Sequence, residues 1–286
     1  DLDHQSIACN RRFGELFGVP WQEVVSCGVG ELRDRVLPII VDPAGWLASL
    51  EEVYADPSRV LHDDLLLNRG YRVVLRRYSA PVTDTDGSIV ARLWTFHDVT
   101  AERRQLEFHR VLGELSSYQD PDPNVVCNKI LESVSSFFDG TTAVLSIRRG
   151  DMLDFKGVVG HKSILHRIPG NAIRDSYCQY ALQGTEPFLI QDAKGDAQYC
   201  RSRPAKSGLT RYLGAPLMDE SGNGIGTICI LDRRSNEPLG ESDVRFMSLV
   251  AMRLSSELIR ERHIRERLAE KDAELRRQQQ DLIATT

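Results

Sequence analysis

The sequence predicts an α+β fold: two antiparallel-sheet domains, joined by a helix and followed by a long polar helix. Three observations carry this. Apolar spacing changes from helical to alternating within each half of the chain. Each alternating region holds a hairpin-type turn signal, Thr85-Asp86-Gly87 in one and residues 219–224 in the other. Between the halves, Asp120-Pro121-Asp122-Pro123 stops any continuous element. A length of 286 residues suits two domains.

In the first half, residues 7–9 (Ile7-Ala8-Cys9) read as a short strand. Asn10 then opens a helix with Phe13, Leu16 and Phe17 on one face, and Gly18-Val19-Pro20 ends it. Trp46, Leu47, Leu50 and Val53 mark a second helix, closed at Asp56-Pro57 because the residue before proline avoids the helical basin. Residues 63–67, 71–81 and 88–96 read as three strands, the last two forming a hairpin. The series Ile7, Asn10, Phe13, Leu16-Phe17-Gly18, Pro81-Val82-x-Asp84-x-x-Gly87 and Trp94-x-Phe96-x-Asp98-Val99-Thr100 resembles a PAS domain over residues 1–100. The resemblance implies an outgoing helix after Asp98-Val99-Thr100 and a first strand preceding Asp1.

Residues 101–119 read as a linker helix, with Phe108, Val111, Leu112 and Leu115 as its apolar stripe. A second domain is expected over residues 120–253. Val126, Ile130, Val134 and Phe137 predict an amphipathic helix. Residues 143–147, 155–159, 188–190, 211–217 and 225–231 predict strands, and residues 173–182 a helix. This half resembles a GAF domain. The carrying residues are Ser176-Tyr177-Cys178, Phe188-Leu189-Ile190-Gln191-Asp192-Ala193, Asp196-x-x-Tyr199, Tyr212-Leu213-Gly214-Ala215-Pro216-Leu217 and Gly224-Ile225-Gly226-Thr227-Ile228-Cys229-Ile230-Leu231-Asp232. Both resemblances imply antiparallel-sheet modules that sense small molecules or bind proteins.

The last stretch, residues 254–286, is expected to be a coiled-coil signalling helix continuing from residue 242. Met247, Leu254, Leu268, Leu275 and Leu282 share a heptad register. Leu258 belongs to a second register (Val244, Ala251, Leu258, Arg265, Asp272, Gln279) that turns polar. A homodimer seam through Met247, Leu254, Leu258, Leu268, Leu275 and Leu282 follows as an expectation.

Chemistry is sparse. The formal charge of −5 offers no basic field for nucleic acid, and no apolar run approaches the length of a membrane span. The six cysteines are scattered without zinc-ligand spacing, so no metal site is expected. Gly222-x-Gly224-x-Gly226 precedes a strand and not a helix, which makes it a turn and not a phosphate loop. Cys178 is followed by Gln179, whereas bilin-binding GAF domains carry histidine there. The flavin-photosensor motif is also absent, so a covalent bilin and a flavin photoadduct are both disfavoured; the cofactor stays open. No catalytic set emerges. The ligand-pocket candidates are Trp94 and Phe96, which alternation puts on one sheet face, and Asp192, Tyr199 and Arg211 in the second half.

Together these features predict a cytoplasmic sensory and dimerisation module of a sensor histidine kinase. It would take a possible small-molecule ligand, with a response regulator downstream in the whole protein. Residues 280–286 resemble the stretch before a phospho-accepting histidine. A diguanylate cyclase or other output, or a ligand-free dimerisation scaffold, are the alternatives.

Overall fold

A computed structural model describes residues 9–26, 28–233 and 238–284. The expected strand residues Ile7 and Ala8, the Leu282 side chain and Thr285-Thr286 lie outside the described set. The chain divides into two compact units, one reaching Leu106 and one starting at Glu107. Each is described by itself.

The first unit begins with α1 (Arg11–Phe17). Asn10 caps it, its side chain accepting from the Phe13 N–H at 3.1 Å, and Gly18 closes it in the left-handed region at φ 71°. Two short helices follow, α2 (Trp21–Ser26) and α3 (Val29–Val36), then a 3₁₀ turn, Leu37–Ile39. Apolar spacing alone assigns no element to this stretch, because each helix is too short to show a full stripe. The next helix, α4 (Pro43–Ala55), starts earlier than its apolar stripe. Asp42 caps it by accepting from the Gly45 N–H, and Pro43 fits the first turn. The strands β1 (Leu61–Asn68), β2 (Arg72–Thr83) and β3 (Ile89–Asp98) form one antiparallel sheet in that order. Leu16, Phe17, Val36, Leu67 and Leu75 are its core. Asp98 then opens α5 (Thr100–Ser117), its carboxylate accepting from both the backbone and the hydroxyl of Thr100.

The second unit opens with α6 (Pro123–Phe137), capped by Asp122. Six strands form one antiparallel sheet: β4 (Thr142–Arg149), β5 (Met152–Val159), β6 (Gly170–Ala172), β7 (Phe188–Ile190), β8 (Arg211–Met218) and β9 (Gly224–Asp232). Their order is β6-β5-β4-β9-β8-β7. The loop after β8 is the expected turn: Asp219 accepts from the Ser221 and Asn223 N–H groups, and Gly222 takes φ 77°. Two short helices, α7 (Cys178–Ala181) and α8 (Arg203–Lys206), lie between strands.

The sheet buries both faces. One packs against α6 and the long final helix α9 (Glu241–Ala284), through Ile130, Val134, Leu213, Ile228, Phe246 and Leu254. The other packs against the segments between β5 and β8, through Leu153, Tyr177, Cys178, Tyr212 and Cys229. No helix among the described residues is long and apolar enough to cross a membrane.

Two expectations need correction. Residues 173–182 are not one helix. A 3₁₀ turn, Ile173–Asp175, is followed by extended Ser176, and only Cys178–Ala181 is α-helical. The Ser176 hydroxyl bonds back to Ile173 O at 2.9 Å, a local alternative to helix continuation. The Tyr177 hydroxyl bonds to Leu209 O at 2.9 Å and fixes the break from outside. Also, Met247, Leu254 and Leu258 are not free for a partner chain. They are buried in their own domain core at 0%, 0% and 8% exposure, because the first turns of α9 close the helical face of the sheet. Leu268 and Leu275 stand exposed.

Candidate functional site

The chemically richest region of the second unit is the sheet face away from α6 and α9. Strand alternation puts Thr227 and Cys229 of β9 on that face, and Tyr212 of β8 beside them. Gly214 makes room for Tyr212: a Cβ at Gly214 would sit 2.0 Å from the Tyr212 hydroxyl oxygen. The break before α7 delivers Cys178 from across the interior, and its sulfur lies 3.9 Å from that of Cys229. Ser146 and Thr227 hydroxyls meet at 2.8 Å on the neighbouring strand pair. Tyr212 is fully buried and its hydroxyl has no hydrogen-bond partner of good geometry among the described residues.

The environment polarises the two thiols in opposite directions. Hydrogen bonding with Cys229 lowers the Cys178 thiol from an ordinary 9.0 to about 7, against the effect of burial, and the Thr227, Tyr212 and Ser176 hydroxyls add to the lowering. Cys229, as the partner that keeps its proton, is raised well above its ordinary value. Burial, and then the two sulfurs, push the Tyr212 phenol up.

The other candidates named by sequence do not converge on this cluster. Arg211 pairs with Asp232 across β8 and β9, Nη2 to Oδ2 at 2.9 Å, and both are buried. Asp192 is exposed and accepts from the Lys194 N–H in a turn. Tyr199 packs edge-on against Tyr180, whose ring stacks on Phe188. In the first unit, Trp94 and Phe96 do share a face, with parallel rings 6.5 Å apart. Phe96 is packed by Phe13 and Phe17, and the Arg77 and Arg92 guanidinium groups lie over the Trp94 ring. Arg77 is itself 2% exposed and held by Asp63 and Ser49.

A concavity of about 640 Å³ lies where α9 leaves the domain. The β4–β5 hairpin, the start of β9 and residues 258–265 wall it. Its floor is apolar, with Ile147, Ile225 and Leu258, and its rim carries Arg148, Arg149, Arg262 and Arg265. Lys156 and Glu261 form an ion pair there. Sequence reasoning missed both this groove and the Cys178–Cys229 contact, which joins residues 51 apart by folding the α7 segment over β9. Among the described residues, no group of three or more His, Cys, Asp or Glu could hold a metal ion.

Residues 122–258 match the GAF domain family. A cyclic di-GMP phosphodiesterase of Pseudomonas aeruginosa is 33% identical over 125 residues, 43% of this chain; the chain spans 20% of that relative's length. Among solved structures, the GAF domain of a phosphoenolpyruvate-protein phosphotransferase from Coxiella burnetii superposes with a TM-score of 0.46 at 18% identity. That match covers 59% of this chain and 98% of the other. The GAF domain of a protein described as a sensor histidine kinase, from Pseudomonas syringae pv. tomato, gives 0.42 at 15% identity, covering 60% and 95%. The chain therefore carries a GAF domain, a sensory module, over residues 122–258.

Proposed function

We propose that this chain is the cytoplasmic sensory part of a signalling protein, and that its GAF domain drives an output through α9. One observation carries the reading. A single helix of 44 residues supplies Phe246, Met247, Val250 and Leu254 to the GAF core and then continues, charged and exposed, beyond Arg265. Such a polar helix gains little stability alone, and pairing with a second copy through Leu268, Leu275 and Leu282 would supply it. The first unit fits the same reading as a PAS domain feeding α5.

The output we favour is a histidine kinase acting on a response regulator, supported by the resemblance of residues 280–286 to the segment before a phospho-accepting histidine. A cyclic di-GMP enzyme is the second reading, favoured by the Pseudomonas aeruginosa relative. The whole gene product decides between them, assayed for autophosphorylation with ATP and for hydrolysis of cyclic di-GMP. The role of α9 is tested by insertion after Arg267: four residues shift the heptad phase, whereas seven restore it. Regulation should be lost with four and regained with seven; regulation that survives the four-residue insertion refutes transmission through α9.

A further inference from the structure

Cys178 and Cys229 differ in setting from an ordinary buried thiol. Cys127 shows the ordinary case: it sits on the buried face of α6 in the apolar core, and burial pushes its thiol up to about 11. Around Cys178 the neighbours are a second thiol, its sulfur 3.9 Å away, and the hydroxyls of Thr227 and Tyr212, groups that can stabilise a thiolate by hydrogen bonding. Tyr212 is fully buried, and its hydroxyl lies beside the two sulfurs, the titratable groups that act on it. Cys178 is 7% exposed and Cys229 1%, so an incoming reagent meets Cys178 first.

We infer that Cys178 and Cys229 form a reactive dithiol, a modification site at which a hydroperoxide oxidises the pair to a disulfide. In the first step the Cys178 thiolate sulfur attacks one peroxide oxygen. The S–O bond forms and the O–O bond breaks. The departing hydroxide takes up a proton and leaves as water, and Cys178 becomes a sulfenic acid. In the second step the Cys229 sulfur attacks the Cys178 sulfur. The S–S bond forms, the S–O bond breaks, and the hydroxide leaves with the Cys229 proton as a second water. Two thiols and one hydrogen peroxide thus give one disulfide and two waters, two electrons passing from sulfur to peroxide. The sulfurs must close from 3.9 Å to the disulfide length of about 2.05 Å, which draws α7 toward β9. Strand β9 is the last strand before α9, so the modification acts on the element nearest in sequence to the outgoing helix. The site does not depend on which output the protein drives.

The test uses the full chain, reduced, freed of reductant and exposed to hydrogen peroxide, with cysteine states mapped by peptide mass spectrometry. A Cys178–Cys229 cross-link is expected, at a rate that rises with pH as the Cys178 thiolate fraction grows. In Cys229→Ser, Cys178 should persist as a sulfenic acid captured by dimedone. In Cys178→Ser, capture at Cys229 should be lost. Free thiols at 178 and 229 after peroxide has consumed the more accessible Cys9 and Cys200 overturn the proposal. So does dimedone capture at Cys229 in Cys178→Ser. If the serine variants do not fold, the wild-type map and its pH profile decide alone.

Discussion

Lys156 on β5 reaches Glu261 on α9, Nζ to Oε2 at 2.9 Å, across 105 residues of sequence. Their side chains are only 20% and 13% exposed, and Lys156 also donates to Asn124 at the start of α6. This pair ties the sheet to the outgoing helix at the last turn where the helix still touches its domain. Removing one partner strands the other in a mostly desolvated site. Glu261→Gln is therefore expected to cost about 1–3 kcal/mol of stability. Urea unfolding should show a lower midpoint with an unchanged slope, and an unshifted midpoint would count against the pair.

Phe246 is the aromatic centre of the helical face. Its ring stacks on Phe137 at 4.1 Å and meets Phe138 at 5.8 Å. Phe246→Ala should cost about 3–5 kcal/mol, since the surrounding rings cannot collapse fully into the space. Calorimetry of the GAF transition measures this. A loss below 1 kcal/mol would mean that α9 is not integral to the domain.

Leu268 and Leu275 separate association from folding. Both are more than half exposed, and neither joins the domain core. The double change Leu268→Ala, Leu275→Ala should leave the unfolding temperature of the isolated domain unchanged and weaken self-association in light scattering. Met247→Ala should do the reverse, because Met247 is fully buried within its own domain.

Asp122 gives a pH dependence of known sign. Hydrogen bonds from Asn124 hold its carboxyl below the ordinary 3.8. A depressed folded value means that the carboxylate stabilises the fold above the ordinary value and loses that effect as pH falls through the folded one. Asp122→Asn keeps an acceptor for the α6 cap and removes the titration. Wild type and variant should therefore differ at neutral pH and converge below 3.8 in thermal melts. A gap that stays constant with pH would contradict this assignment.

Much of the fold is legible in the sequence because its signals are local. Asn10 caps a helix where its side chain implies, and the apolar runs around Val144 and Ile228 mark central strands. The misread elements share one cause: local signals were overruled by distant contacts. Residues 173–182 carry helical spacing, but Tyr177 is held by a carbonyl 32 residues away. On α9 a heptad cannot distinguish the inside of its own domain from a partner's helix, since both demand an apolar stripe on one face. Met247 and Leu268 share a register and have opposite surroundings. At the site, Asp192, Tyr199 and Arg211 are near in sequence pattern but engage separate neighbours. The Cys178–Cys229 contact arises only when β9 is in register and the α7 segment folds over it.

The central strand pair of the GAF sheet also sets the order in which the chain is able to fold. Ser146 on β4 meets Thr227 on β9, 81 residues later, and the flanking pairs, from Thr142 with Leu231 to Ile147 with Gly226, are similarly far apart in sequence. As the polypeptide leaves the ribosome, β4 and β5 pair at once, but the far edge of β4 stays open until β9 emerges. The helical face waits longer still, for the opening turns of α9. High sequence separation slows closure, and an unpaired apolar strand edge invites chaperones or neighbouring nascent chains. Synthesis rate and chaperone supply should therefore govern the yield of this domain more strongly than the stability of the finished fold.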